Sequence, residues 1–449
     1  MVSMTLSTTS AAKVLQPETV VAEVVMNIDA LAVSEPNPQE LAHVVLRELS
    51  KSVDCFSAKP QGKALRMQCN DHAKVTPWPP KSGRDVANTV KAAFAFLRGA
   101  GHPASMSVAH RLARSLAISM GDPYTAYLPP ASVKRLDTGR MAEVSNPGVE
   151  LSPYDPSRIR AVRPGSNADE QGIRGGDRIL EVDGISTGQM TLAELSAMLI
   201  GRATTTVRLL IEREGKGKRT FEVERTLIPE PTLTTESLPG GVLYLRISAF
   251  SPGVAKKVKR TIWERAPKGV VLDLRHNSGG LIAEGAELLD LFFADGATGG
   301  VRPRQGRPST DFVASHDSKD LLRLPLVVLI DGGTASASEL VSLSLKQRKR
   351  ALIAGSRSLG KGSAQSLVRI PGGGLLRVTE AHYIGPLGRK LARAGITPDT
   401  FLPHAKGRTV LEGGDANRDA WVLMAADLLR YGGRAQAKRA LVHTGFDDK

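Results

Sequence analysis

Two glycine-rich turns place a serine and a lysine 25 positions apart (361 − 336), each after an apolar run typical of a β-strand. Ser336 lies in the stretch IDGGTASASE (330–339), and Lys361 lies between Gly360 and Gly362. A serine hydroxyl becomes a nucleophile when a base removes its proton, and an uncharged lysine amine can be that base. Because a free lysine titrates at about 10.4, this chemistry requires a lysine shielded from water. The pair predicts a serine hydrolase without a catalytic histidine.

Ser336 has a second interpretation, as the first residue of a helix. Ser336 and Glu339 have the spacing of a capping box, in which each side chain bonds the other residue's backbone N–H. A helix that begins here would also place the Ala337 N–H beside Ser336, where an oxyanion develops during acyl transfer. Ser338 is a rival nucleophile. The local spacing alone leaves the cap and the nucleophile open.

Lys361 also ends a near match to a phosphate-binding loop, GxxxxGK, which begins at Gly355. Gly362 stands where that motif requires a Ser or Thr for magnesium, and the following SAQSLVRI is typical of a strand rather than a helix. We therefore expect no nucleotide, metal or other cofactor. His276 and His382 are isolated, and spacing identifies no Asp partner for either.

The composition is that of a globular chain with a strong positive charge. The 449 residues are 41% hydrophobic and carry a net charge of +15, but only 4% are aromatic. The basic residues are scattered and stacking side chains are few, which argues against nucleic acid as a partner. The charge favours acidic partners or anionic surfaces.

The chain divides by pattern into five segments. Residues 1–35 are polar and predict a weakly ordered arm, while 36–140 contain three segments with helical spacing, at 38–52, 84–99 and 104–120. Residues 141–228 have short strands separated by Gly/Asp turns, and 229–405 alternate strands with helices. A helical segment occupies 406–449, with its helix expected from Asn417 to Tyr431.

The only two cysteines, Cys55 and Cys69, lie in a stretch (54–82) that is expected to be a loop. A disulfide between them would indicate an oxidising compartment, and two free thiols are the equal alternative. The N-terminus lacks the basic and apolar regions of a signal peptide, which leaves a cytoplasmic location open.

Three blocks, SASE (336–339), GKGSAQ (360–365) and DLRHNSGG (273–280), together resemble motifs of the carboxyl-terminal processing peptidases, or tail-specific proteases. The stretch 148–184, with GIRGGDRILEVDG, resembles the PDZ module embedded in that family, and 377–399 resembles the strands that close its catalytic domain. The resemblance covers about residues 100–402. It implies a helical N-terminal region, a small β-rich PDZ-like module and an α/β protease core.

The family's catalytic roles transfer to matching positions. The resemblance implies Ser336 as nucleophile, Lys361 as base and Gln365 as the residue that orients the lysine. It implies an oxyanion site formed by Ala337 and Gly280, with Gly279 as the alternative. Some members of the family carry an acidic residue eleven positions after the nucleophile, and Gln347 stands at that position here.

The implied tail-binding residues belong to the PDZ-like module. The loop and strand at 148–151 would bind a terminal carboxylate and add the tail as a β-strand, although Ser145-Asn146-Pro147 replaces the family's glycines before it. The implied substrate-binding residues are Gly148, Val149, Glu150, Leu151 and Arg174.

The resemblance implies a serine endoprotease that recognises proteins with unstructured C-terminal tails, with an adaptor or homo-oligomerisation as further partners. It also implies export to the periplasm or cell envelope. The alternative is a PDZ-type scaffold that binds tails on a protease-like fold without cutting them.

Overall fold

The computed structural model describes residues 15–137, 144–163, 165–225, 231–304, 306–315, 319–391, 393–403 and 415–430. These residues form two compact units. One contains the described residues up to Lys134 together with Ser366–Val378, and the other contains the rest. Among the described helices, none is long and apolar enough to cross a bilayer.

The first unit is mainly helical. Asn37 caps α2 by accepting hydrogen bonds from the N–H groups of Gln39 and Glu40, and Ser82 caps α3 in the same way. The elements are α1 (Pro17–Leu31), α2 (Pro38–Ser52), β1 (Phe56–Gln61), β2 (Ala64–Cys69), β3 (His72–Pro77), α3 (Gly83–Gly99), α4 (Met106–Ser119) and β4 (Ala126–Leu128), followed by α5 (Pro130–Asp137) at the boundary. Three helices therefore begin and end close to the expected positions.

Two expectations for this unit are wrong. Residues 17–31 form helix α1, whose Val20, Val24 and Ile28 are fully buried in the core, where a weakly ordered arm was expected. Residues 1–14 lie outside the described residues. The stretch 54–82 forms the antiparallel sheet β1-β2-β3 rather than a loop, because alternate residues of β2 bury apolar side chains. Cys55 and Cys69 form a disulfide with Cα atoms 4.6 Å apart.

The second unit begins with a small β-rich module around its own apolar core. Strands β11 and β12 alternate buried and exposed residues, as expected for a sheet with one solvated face. The elements are β5 (Val144–Ser145), β6 (Val149–Leu151), β7 (Ile159–Val162), α6 (Asn167–Glu170), β8 (Arg178–Val182), β9 (Ile185–Ser186), α7 (Leu192–Leu199), β10 (Gly201–Arg202), β11 (Thr206–Arg213) and β12 (Gly217–Glu224). The main sheet has the order β12-β11-β8-β9, and β6 pairs with β7.

The rest of the second unit is an α/β layer structure. A six-stranded sheet of order β13-β14-β15-β18-β19-β22 is parallel except for β13, and its central strands are buried along their whole length. The elements are β13 (Leu233–Leu238), β14 (Val242–Ile247), α8 (Val254–Arg265), β15 (Gly269–Asp273), α9 (Ile282–Asp290), β16 (Ala297–Pro303), β17 (Thr310–Val313), α10 (Lys319–Leu322), β18 (Leu326–Ile330), α11 (Ala337–Gln347), β19 (Leu352–Gly355), β20 (Ser363–Ile370), β21 (Gly374–Ile384), β22 (Thr400–Phe401) and α12 (Ala420–Arg430).

Two apolar layers cover the parallel sheet. Helices α8, α9 and α11 contribute to one, and α12 contributes to the other. A second sheet of order β17-β16-β21-β20 contains the strands that follow the lysine turn, and the part of β20 and β21 within Ser366–Val378 belongs to the first unit. The last helix begins at Ala420 after a single 3₁₀ turn, and Tyr431 of the expected helix lies outside the described residues.

Candidate active site

Three loops meet at one edge of the parallel sheet. The strands β15, β18 and β19 are neighbours, and they are followed by the Gly279–Gly280 loop, the Ser336 turn and the Lys361 turn. Because parallel strands end at the same edge, residues far apart in the chain are brought together there. Backbone hydrogen bonds join the loops, from Ala335 N–H to Asn277 O (2.9 Å) and from Leu359 N–H to Thr334 O (2.9 Å).

Ser336 lies at the start of α11 in an unusual backbone conformation. Its φ is 57° and its ψ is −119°, whereas a helix N-cap is normally extended. A non-glycine residue in this region is strained and persists only where its surroundings hold it, which is common at functional sites. The side chain is only 7% exposed. Strain and burial distinguish Ser336 from an ordinary cap.

Asp331 holds the turn that carries Ser336. Its carboxylate accepts hydrogen bonds from the N–H groups of His276 (2.8 Å), Gly333 (2.9 Å) and Thr334 (3.1 Å). The Thr334 hydroxyl in turn donates to Leu274 O (2.8 Å) in the neighbouring loop. The geometry of the serine turn is therefore fixed by contacts on both sides.

Glu339 links the serine turn to the lysine turn. Its Oε2 accepts from Ser336 N–H (3.0 Å) and from Lys361 N–H (2.8 Å), so the two nitrogens are no farther apart than the sum of those distances. Its Oε1 accepts from Gly360 N–H (2.6 Å) and from the Ser358 hydroxyl (2.6 Å). Glu339 is 0% exposed, and burial raises its pKa against the opposing effect of these bonds. The capping-box carboxylate is thus also the bridge that aligns the predicted nucleophile and base.

The lysine turn requires glycine beside Lys361. A Cβ on Gly360, whose φ is +89°, would lie 2.0 Å from Arg393 O, and one on Gly362 would lie 2.8 Å from Leu391 O. Side chains at these positions would displace the loop. Lys361 itself is half-buried. Strand β20 begins at Ser363, so no helix follows the turn and the phosphate-loop alternative fails on its own structural requirement.

The predicted oxyanion donors differ in availability. Gly279 N–H donates to Asn277 Oδ1 (2.8 Å), so the alternative donor Gly279 is already engaged. The N–H groups of Gly280 and Ala337 donate to no acceptor among the described residues. A Cβ on Gly279 would lie 2.8 Å from Ser336 Cβ and 3.0 Å from Ala337 N, which shows how closely this loop approaches the serine. Gly279 therefore allows its loop to approach Ser336 closely, while Gly280 and Ala337 carry the N–H groups that could serve as oxyanion donors.

Gln365 lies on β20, four residues after Lys361. Its Nε2 donates to the Ser363 hydroxyl (2.8 Å), to Ser363 O (3.2 Å) and to Thr379 Oγ1 (3.4 Å). These bonds fix the amide by its nitrogen side, and they do not use its carbonyl oxygen. The sequence prediction that Gln365 orients Lys361 stays a prediction.

Tyr383 is a site residue that sequence reasoning did not find. It lies on β21, its N–H donates to Gly362 O (3.0 Å), and its buried side chain is close enough to Ser336 for the serine to affect the pKa of its hydroxyl. Burial raises the pKa of the Tyr383 hydroxyl, and the Ser336 contact opposes this rise. Its position 47 residues after Ser336 (383 − 336) gives no local signal, although it falls within the 377–399 stretch that resembles the family.

His276 has a partner that spacing did not reveal. Its Nε2 lies 2.9 Å from Asp331 Oδ2, across two neighbouring loops. Burial favours the neutral imidazole, yet the Asp331 carboxylate raises the pKa of His276 above its usual range. Burial likewise opposes ionisation of Asp331, but His276 lowers the pKa of that carboxyl to about 2. His276 Nδ1 approaches Gly333, since a Cβ there would lie 2.9 Å from it.

The predicted tail-binding residues are placed unequally. Val149–Leu151 form β6, which pairs only with β7 among the described strands and so has one open edge. We expected the Gly148 N–H to bind a carboxylate. It instead donates to Asn146 Oδ1 (2.7 Å) and is therefore already engaged. Burial raises the pKa of Glu150 to about 7, and Glu150 interacts with His276 and Asp331 of the core. Arg174 is exposed, and its role in substrate binding stays a prediction.

Gln347, at the position where some family members have an acidic residue, lies beside the loop that follows β21. Its Oε1 accepts from Leu387 N–H (3.2 Å). A Cβ on Gly385 would lie 2.3 Å from the same oxygen. The residue is therefore part of the packing around the β21 loop.

The sequence profile of peptidase family S41 matches residues 241–401, and that of the PDZ domain matches residues 158–213. The two matches fall on the α/β layer structure and on the β-rich module. The second unit therefore combines a PDZ domain with a peptidase core.

The curated relatives agree with these matches. The chain is 32% identical over 323 residues to the chloroplastic C-terminal processing peptidase of Tetradesmus obliquus, covering 67% of this chain and 69% of that protein. It is also 32% identical to the carboxyl-terminal-processing protease of a Picosynechococcus species, covering 64% and 70%. The solved structure of a photosystem II D1 C-terminal processing protease has the same fold, with a TM-score of 0.65, 23% identity, and coverage of 87% of this chain and 94% of that one. The chain belongs to the carboxyl-terminal processing peptidases of family S41.

Proposed function

We propose that the protein is a serine endopeptidase that uses Ser336 and Lys361 as a catalytic dyad. Ser336 Oγ attacks the carbonyl carbon of the scissile peptide bond while the Lys361 amine takes the hydroxyl proton. Lys361 then gives this proton to the leaving amine, and a serine ester remains. Water, deprotonated by the same amine, hydrolyses the ester and restores the serine.

The observation that carries this proposal is the shared carboxylate of Glu339. One oxygen accepts from the N–H groups of both Ser336 and Lys361, and the strained backbone of Ser336 is held by these contacts. An ordinary helix cap needs neither the strain nor the second loop. Both features are expected when a nucleophile must be presented to a base at a fixed separation.

The remaining site residues supply charge stabilisation and orientation. We assign the oxyanion site to the N–H groups of Gly280 and Ala337. Each such donor typically stabilises the transition state by about 3–4 kcal/mol. The Tyr383 side chain, next to Ser336, keeps the serine hydroxyl in place. Gln365, through its carbonyl oxygen, holds the Lys361 amine.

The substrates we propose are proteins with unstructured C-terminal tails. The open edge of β6 can take an extended tail as an additional strand, in the manner of PDZ domains. Because Asn146 already occupies Gly148 N–H, the terminal carboxylate must bind at the next amides or displace Asn146. The Cys55–Cys69 disulfide and the relatives named as chloroplastic support a location outside the reducing cytoplasm.

The test is cleavage of an unstructured peptide by wild type and by Ser336→Ala. We expect wild type to cut the peptide and Ser336→Ala to lose cutting while keeping the same unfolding temperature. A peptide with an amidated C-terminus is the matched control for tail recognition, and its KM should rise. Cleavage that persists in purified Ser336→Ala would refute the nucleophile assignment. Tight binding of the free-carboxylate peptide with no wild-type turnover would instead favour the scaffold alternative.

A further inference from the structure

Helix α8 presents an exposed tryptophan on a strongly basic face. Its sequence, VAKKVKRTIWER, contains five cationic residues and one acidic residue. Val254, Ala255, Val258 and Ile262 are buried against the parallel sheet, so the remaining positions face outward. Trp263 is 82% exposed, the largest exposed fraction of any large apolar side chain among the described residues.

The outward positions form one stripe. Lys256, Lys259, Arg260 and Trp263 are spaced i, i+3, i+4 and i+7, which places them along one face of the helix. All four are exposed. A run of this length covers about 10 Å of helix. The indole therefore lies at the end of a line of cations rather than alone on a neutral surface.

The helix is fixed in this orientation by its neighbours. Glu284 at the start of α9 accepts from the N–H groups of Gly253 (2.6 Å) and Ala255 (3.1 Å), which holds the beginning of α8. The buried side of α8 packs on the sheet. The stripe is thus a rigid surface feature that needs no rearrangement to meet a partner.

We infer that this face of α8 is a docking surface for an anionic phospholipid membrane. Tryptophan is favoured at the membrane–water interface because its ring is apolar and its N–H is polar. Lysine and arginine side chains beside it can keep their charges at the headgroups while their stems lie on the apolar layer. The net charge of +15 attracts the whole molecule to such a surface.

A bilayer fits this stripe better than a nucleic acid does. Single-stranded nucleic acid binds to several stacking side chains in a basic groove. Here one indole stands on a convex helix. A peripheral association of this kind would keep the peptidase beside membrane proteins or newly exported chains.

Vesicle binding by the full chain tests the inference. Wild type is mixed with vesicles of phosphatidylcholine alone or of phosphatidylcholine with an equal amount of phosphatidylglycerol, and binding is measured by sedimentation. The chain has three tryptophans, of which Trp78 and Trp421 are buried, so a blue shift of emission reports Trp263. We expect a blue shift and salt-sensitive binding only with phosphatidylglycerol.

Matched variants separate the stripe from the overall charge. Trp263→Ala and the triple variant Lys256→Ala/Lys259→Ala/Arg260→Ala should each bind about tenfold or more weakly. The controls are Leu367→Ala, at another exposed apolar residue, and Lys216→Ala/Lys218→Ala/Arg219→Ala, which removes the same charge from the β11–β12 turn and the start of β12. These should stay within about twofold of wild type.

Three results would overturn the inference: no binding of folded wild type to phosphatidylglycerol vesicles, full binding by the stripe variants, or equal losses in the controls. Cleavage of a soluble peptide by Trp263→Ala should equal that of wild type, so a failure of the membrane surface is distinguishable from a failure of the catalytic proposal.

Discussion

Replacement of Glu339 by Gln should disable the site more than it destabilises the fold. The carboxylate accepts four hydrogen bonds, two at each oxygen. A glutamine of the same shape places an NH₂ group where one oxygen stood, so two donors then face a donor. Each lost bond to a charged acceptor is worth about 1.5–3 kcal/mol, which gives a disturbance of about 3–6 kcal/mol before the loops relax.

This disturbance falls on the two turns that carry Ser336 and Lys361. If about half of it appears in the transition state, kcat falls by about 10–100-fold, since 1.36 kcal/mol corresponds to tenfold in rate. We expect KM for a tail peptide to change little, because the PDZ domain keeps its structure. The assay is steady-state cleavage of an unstructured peptide, with thermal unfolding of each variant measured in parallel.

The matched control is Glu194→Gln, which makes the same change in the capping box of α7. Glu194 accepts from Thr191 N–H (2.7 Å) and from the Thr191 hydroxyl (2.9 Å), within the PDZ domain. It should lower the unfolding temperature without lowering kcat. A folded Glu339→Gln variant whose kcat stays within about twofold of wild type would refute the bridging role and leave Glu339 as a helix cap alone.

Three further changes probe separate parts of the site. Tyr383→Phe removes the hydroxyl that lies near Ser336. If this hydroxyl orients the serine through one neutral hydrogen bond, kcat should fall about threefold to tenfold at unchanged KM, and an unchanged kcat would exclude Tyr383 from the reaction. Gly280→Ala places a Cβ 2.4 Å from Phe250 O and should lower kcat about 100-fold or more. The control Gly215→Ala, at an open turn with φ +71°, should leave kcat unchanged, and equal rates for the two variants would refute the oxyanion assignment. Glu150 has its pKa raised to about 7, so the folded state holds its proton longer than the unfolded state, and stability falls as pH rises from about 4.5 to 7. The free energy of unfolding of Glu150→Gln, relative to that of wild type, should therefore be up to about 3 kcal/mol higher above pH 7 than below pH 5. A difference in unfolding temperature that does not change with pH would contradict the buried position of this carboxyl.

Much of the peptidase core could be predicted because its strands are buried on both faces. The runs at β14, β15 and β18 are continuously apolar, and helical patterns alternate with them, so the parallel sheet follows from the sequence. The order of the strands then brings Gly280, Ser336 and Lys361 to one edge. The family resemblance supplied the roles that the spacing alone left open.

The two wrong predictions in the first unit, for helix α1 and for the sheet β1-β2-β3, have specific physical causes. Helix α1 is rich in valine, a weak helix former, and follows a polar stretch, although Val20, Val24 and Ile28 have helical spacing. The sheet β1-β2-β3 is largely exposed, so only β2 shows clear alternation.

Contacts between loops could not be predicted. His276–Asp331, Tyr383–Ser336 and the engagement of Gly279 N–H by Asn277 all depend on the tertiary arrangement. In each of the first two pairs, the two residues lie on different loops or strands that are far apart in the sequence. No periodic sequence pattern therefore predicts that they are close in space. The double role of Glu339 was partly visible as a capping box, but its bonds to Gly360 and Lys361 were not.

A double-mutant cycle in kcat tests the central claim most directly. Ser336→Ala, Lys361→Ala and the double variant are compared with wild type in cleavage of one unstructured peptide, with unfolding temperatures measured for each. Residues that act as one unit lose nearly the full effect in either single variant, so all three should share the same residual rate. Losses that add in the double variant, or a Lys361→Ala protein that keeps most of its activity, would contradict a dyad of Ser336 and Lys361.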